Sequence, residues 1–151
     1  GILEEAVKKF PNSPSLFNNL AVAYQMRGEF DKSREMLDEV IKRFPDYLLG
    51  IAAKARDEMN HRNYAATHEL INRAMQRESF HFSEFEALCA IQIDLSLLEG
   101  QIKGAEQWLD IWEEMMPDSP RLKEYKGKIK SGTSAAAGKS WIRKPGKAKK
   151  K

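Results

Sequence analysis

The side chains able to do chemistry in this chain are few, and their spacing does not bring them together. His61, His68 and His81 are the only histidines, and none stands at metal-ligand spacing from another ligand. His61 and His68 are seven residues apart, which shares a helix face only where no turn intervenes, and Arg62-Asn63 reads as a turn. Cys89, the single cysteine, lies in an apolar run where it reads as a small core residue rather than a nucleophile. Glu113-Glu114 reads as a solvated face, and Gly28, Gly50, Gly100 and Gly104 are isolated, so no glycine-rich loop is present to cradle a phosphate. These residues predict no catalytic centre, no metal and no cofactor.

The chemistry therefore lies in how the chain is built. Lys8-Lys9-Phe10-Pro11-Asn12 returns 34 residues later as Lys42-Arg43-Phe44-Pro45-Asp46, with Leu3 matched to Leu37 and Ala6 to Val40. The next interval keeps the register without the proline: Ala21 maps to Ala55, Phe30 to Tyr64, Leu37 to Ile71 and Val40 to Ala74. A fixed period of this length predicts stacked helix pairs that bury a series of interhelix layers. The boundaries expected are a half repeat at 2–12, repeats at about 14–47, 48–81 and 82–119, and a capping helix at 120–130. Ser13-Pro14 reads as an N-cap with proline at the first helical position, and Ser119-Pro120 repeats that signature before the cap. Gly28 reads as a helix stop, and Asn63 is expected to take the same turn role in the next repeat. The step from Pro45 to Pro117 is two periods plus four residues, which places an insertion near Phe80–Ser83, in the third repeat's first helix or the turn before it. Gly1–Ala6 reads as the middle of a second helix, so the expectation is a fragment of a longer array.

Net charge is +3, but the two signs are segregated. Residues 1–120 hold 13 Lys and Arg against 21 Asp and Glu; residues 121–151 hold 12 against 1. Residues 131–151 read as a small-residue linker followed by a basic tail with too little apolar surface to fold alone. No apolar run approaches the roughly 20 residues that span a bilayer. One cysteine permits no internal disulfide, so a reducing, cytoplasmic setting is expected, with a nuclear one if the basic tail acts as a targeting signal.

Phe17, Leu20, Ala21, Tyr24, Gly28, Phe30, Ser33, Leu37, Val40 and Pro45 together resemble the tetratricopeptide repeat, with Ser33 in place of the usual alanine. Ala55, Tyr64, Thr67, Ile71 and Ala74 make a weaker second match; Gly100, Ala105, Leu109 and Pro117 a degenerate third, with bulky Trp112 at a small position. The resemblance covers about residues 1–130 and implies an all-α, right-handed superhelical solenoid of helix hairpins that serves as a non-enzymatic protein-interaction scaffold. It also implies a concave groove lined by the first helix of each repeat. Mapped onto this chain, that groove comprises Asn18, Asn19, Val22, Met26, Leu49, Arg56, Met59, Asn60, Ile91 and Asp94, joined by Gln25 and Ala53. Asn19 is the leading residue, because an asparagine amide pairs with both donor and acceptor of an extended peptide. The carboxylate-clamp variety of the family is not expected, since Val22, Ala53, Ala87 and Ile91 stand where polar or basic groups would be required.

Two further expectations concern the end of the chain. Phe85, Leu88, Cys89, Ile91, Ile93, Leu95, Leu97 and Leu98 make the third repeat's first helix apolar nearly all round, which predicts burial nearly all round. A partner, a second copy of the chain, or the tail through Trp141-Ile142 would supply the missing cover. The alternative reading for the tail is RNA association, with Lys139, Arg143, Lys144 and Lys147 on phosphates and Trp141 stacking on a base.

Overall fold

The structure, a computed structural model, describes residues 1–142, with side chains described through Gly132. Among the described residues it contains eight α-helices and no strand. They are α1 (Ile2–Lys9), α2 (Pro14–Met26), α3 (Phe30–Arg43), α4 (Leu48–Asn60), α5 (Tyr64–Ala74), α6 (Phe82–Leu98), α7 (Ile102–Met115) and α8 (Leu122–Ile142). The described residues divide into two compact bodies, one of residues 1–87 and one beginning at Leu88, and the division falls inside α6.

In the first body the 34-residue period is visible as a period of burial. Phe17 and Ile51, Ala21 and Ala55, Ser33 and Thr67, Leu37 and Ile71, and Val40 and Ala74 are all buried, each pair one period apart. Helices α2 and α3 pack as one hairpin, α4 and α5 as the next, and α3 also packs on α4. Closeness of approach explains the small residues: a Cβ built on Gly50 would lie 2.5 Å from Val40 Cγ1, so α3 and α4 touch nearly backbone to side chain there. The buried hydroxyl of Thr67 is satisfied by the carbonyls of Asn63, at 3.0 Å, and Ala55, at 3.4 Å.

Several local signals differ from what the sequence implied. Ser13 does occupy the N-cap of α2 with Pro14 at the first position, yet its hydroxyl meets Ser15 Oγ at 3.3 Å instead of capping the helix. Ser119-Pro120 lies in a turn, and α8 starts two residues later at Leu122. Helix α5 stops at Ala74, seven residues before the end expected for its repeat at 81. The segment after it is held by Arg77, 3.3 Å from both carboxylate oxygens of Glu84, and by Glu84 accepting the His81 backbone N–H at 2.8 Å. Helix α8 continues through the segment read as a linker, to Ile142.

The left-handed turn residue of the second repeat is Arg62, with φ 64°, not Asn63, which serves as N-cap of α5. Gly28 (φ 78°) and Gly100 (φ 76°) take the same conformation in the turns before α3 and α7. Arginine in this region carries a steric cost that glycine avoids. Arg62→Gly is therefore expected to raise stability by about 1 kcal/mol. Gly28→Ala is expected to lower it by a similar amount, although a methyl group there meets nothing within 4 Å. Thermal denaturation of both variants checks the pair; equal midpoints would contradict it.

The second body begins within α6. Helix α6 has 17 residues where α2 and α4 have 13, and it starts 34 residues after α4, so the four-residue insertion lies in the helix itself. Leu88, Cys89, Ala90, Ile91, Ile93 and Leu95 are buried, whereas Phe85 and Leu97 are half-buried and Leu98 is exposed, so the burial expected all along the helix holds for its middle and not for its ends. Trp112 of α7 and Tyr125 of α8 form the centre of this body, ring centroids 5.3 Å apart at 55°. Leu122, Tyr125 and Ile129 are all buried along the inner face of α8. Asp94 of α6 accepts from Tyr125 Oη at 3.0 Å and pairs with Lys128 at 3.1 Å. Burial alone would lower the Lys128 ammonium's pKa, but the hydrogen bond and charge of Asp94, helped by Tyr125 and Glu124, outweigh it and raise it.

Candidate binding face of α2 and α4

The candidate face is built by the first helices of two successive repeats, which lie side by side in the first body. Buried Phe17, Leu20, Ala21 and Tyr24 commit one side of α2 to the core, and Ile51, Ala52, Ala55 and Met59 do the same for α4. Helical periodicity then leaves Asn19, Val22 and Met26 along an exposed stripe of α2. On α4 the corresponding stripe is Leu49, Ala53, Arg56 and Asn60. The two stripes meet at a pocket of about 150 Å³ whose lining includes Val22 and Gln25 from α2, Leu37 from α3, and Ala53, Arg56 and Asn60 from α4. A second hollow adjoins it, lined by Gln25, Phe30, Ser33, Asp57, Asn60 and His61.

Of the residues expected in a groove, Val22, Arg56 and Asn60 thus converge on one pocket, together with Gln25 and Ala53. Asn19 and Met26 are exposed on α2 outside its lining, and Leu49 is half-buried at the start of α4. Asn18 is half-buried, with its Oδ1 enclosed and unpaired. Three expectations are corrected. Met59 is 3% exposed and Ile91 2% exposed, so both are core residues and offer nothing to a ligand. Asp94 ties α6 to α8 through Tyr125 and Lys128. Ile91 and Asp94 also belong to the second body, and the pocket belongs wholly to the first. The side chains of Lys139, Trp141, Arg143, Lys144 and Lys147, named for the tail, lie outside the described residues.

Beneath the face runs an ionic network that the sequence reading passed over. Lys54 stands one period after Leu20 and one before Leu88, a lysine in a layer of leucines, and it is buried like them. Its Nζ lies 2.8 Å from Asp38, 3.7 Å from Asp57 and 3.8 Å from Glu58. Arg34 of α3 reaches the same carboxylates, 2.9 Å from Glu58 and 3.4 Å from Asp57. Asn63 Nδ2 donates to Glu58 at 2.9 Å, and this hydrogen bond, with the charges of Lys54 and Arg34, holds the Glu58 carboxyl below its ordinary pKa despite burial. Asp57 Oδ2 is enclosed and accepts no well-aligned hydrogen bond; its neutralisation comes from the cations at ion-pair distance. The detectable signal was the break in the leucine column at position 54.

Among the described residues, no three His, Cys, Asp or Glu side chains gather as a metal site, and no helix is long and apolar enough to cross a membrane. The arrangement presents an amide-rich, part-apolar face without a nucleophile. Residues 1–56 match the family model of the tetratricopeptide repeat, an element that mediates protein–protein interaction and is typically a non-enzymatic scaffold. A comparison with curated proteins returned no match.

Proposed function

We propose, with the tetratricopeptide match of residues 1–56 as premise, that this chain is an interaction scaffold that holds a peptide or partner helix on the face shared by α2 and α4. The observation that carries the reading is the convergence of Val22, Gln25, Ala53, Arg56 and Asn60, from two repeats, on one pocket. Asn60 in its lining and Asn19 on the exposed stripe of α2 are exposed amides able to pair with the backbone of an extended segment as donor and acceptor at once. Arg56 supplies the planar donor fork that suits a carboxylate or carbonyl. Asn19→Ala or Arg56→Ala is expected to lose the partner recovered by affinity purification from the native source, with the helical circular dichroism unchanged. Recovery of the same partner by both variants would remove the reading.

A second reading rests on charge segregation: 12 basic residues against 1 acidic in residues 121–151. Lys139, Arg143, Lys144 and Lys147 would contact phosphates, and Trp141 would stack on a base. It requires RNA binding that weakens steeply with salt and disappears when residues 139–151 are removed. A single cysteine suits a reducing, cytoplasmic compartment.

A further inference from the structure

We infer that the pocket between α2, α3 and α4 is an anchor site for one aliphatic side chain, leucine, isoleucine or methionine, of an extended partner segment. This deepens the α2–α4 reading and rests on it. Three observations select the ligand class. The first is size: a volume of about 150 Å³ is comparable to that of an apolar cavity able to take a benzene-sized group, so a branched four-carbon side chain fits. The second is lining: Ala21, Val22, Leu37 and Ala53 supply an apolar floor, and the amides of Gln25 and Asn60 stand at its edge. An aliphatic group there loses its hydration while the flanking peptide backbone keeps polar partners.

The third observation is charge. Asp57, the one carboxylate in the lining, is already compensated by Arg34 at 3.4 Å and Lys54 at 3.7 Å. The pocket therefore asks for no ammonium or guanidinium from the ligand, and the cation of its lining, Arg56, can serve a carbonyl of the partner's backbone. A neutral apolar side chain remains. Ala53 sets the depth: its methyl leaves the space that a leucine at the same position would fill.

The test uses the whole chain with methyl-labelled valine, leucine and isoleucine, observed by NMR. N-acetyl-leucine methylamide is the probe, and N-acetyl-asparagine methylamide, of similar shape but polar, is its control. Saturable shifts of the Val22 and Leu37 methyls are expected with the leucine compound, and at least tenfold weaker binding with the asparagine compound. Ala53→Leu should abolish the shifts by occupying the pocket, and Val22→Asp should abolish them by making its wall polar. Two variants guard against either one failing to fold. Absence of saturation, equal response to both compounds, or undiminished binding in both variants overturns the inference. None of these readouts depends on a natural partner, so the anchor can fail while the Asn19 and Arg56 test succeeds, and the reverse.

Discussion

Trp112→Ala is expected to destabilise the second body by about 3–5 kcal/mol, the range for removing a large, fully enclosed aromatic. Trp112 has 0% of its surface exposed, and its contact with Tyr125 joins α7 to α8. The substitution removes the largest side chain of that layer and leaves a cavity between α7 and α8, beside the Tyr125 ring whose hydroxyl is held by Asp94 of α6. Arg121 lies over both rings, 5.8 Å from the Trp112 centroid and 5.6 Å from that of Tyr125, and would lose half of its stacking surface. Hydrogen exchange of α7 and α8 amides is the suitable measurement, because it reads this body without assuming that both bodies unfold together. Trp112→Phe, which keeps a ring against Tyr125, is expected to cost less than half as much. A change below about 1 kcal/mol for alanine would mean that Trp112 is not the keystone of this layer.

Lys54→Met is expected to cost about 2–3 kcal/mol at pH 7. Removing one member of a buried ion pair usually costs about 3–5 kcal/mol, because the abandoned charge remains desolvated. The smaller figure follows from exposure. Asp38, the nearest partner, keeps 64% of its side-chain surface in water, and Arg34 stays beside Asp57 and Glu58. The pH dependence has a definite sign. Glu58 titrates below its ordinary value of 4.5 in the folded chain, so its contribution is complete above that pH and is lost as pH falls through the folded pKa. Lys54 supplies part of that depression, so the variant depends less on acid. The gap between wild type and Lys54→Met should hold from pH 7 to about 4.5 and narrow below it, as pH falls through the folded pKa of Glu58, as measured by urea denaturation. A gap that widens on acidification would rule out the ionic account.

Much of the helical pattern was legible because it rests on local periodicity. Leu122, Tyr125 and Ile129 could be placed on the inner face of α8 from spacing alone, and Gly28 could be placed at a helix end from its freedom at positive φ. What escaped depended on three dimensions. Met59 and Ile91 were assigned to a groove by the family resemblance, but first helices bury more than one side, and the buried arc is wider than a single stripe. Arg62 took the left-handed position expected of Asn63 because the turn is fixed by the register of α4 and α5, which repeats that of α2 and α3; intrinsic preference yields to it. Val22, Arg56 and Asn60, which the family resemblance placed in a groove, line one pocket of the first body, whereas the Lys54 network needed the depth of each layer to be known.

The extra turn of α6 bears on how such a chain could grow. Four added residues advance a helix by about 6 Å and turn it roughly 40° beyond a full revolution. Tandem duplication of residues 48–81 would insert a module in phase with its neighbours. A copy taken through α6 would carry the longer helix with it and set every later hairpin out of step. In-phase lengthening by duplication is thus open to the thirteen-residue first helices of the first body, while a copy of the seventeen-residue helix would bring its extra turn with it.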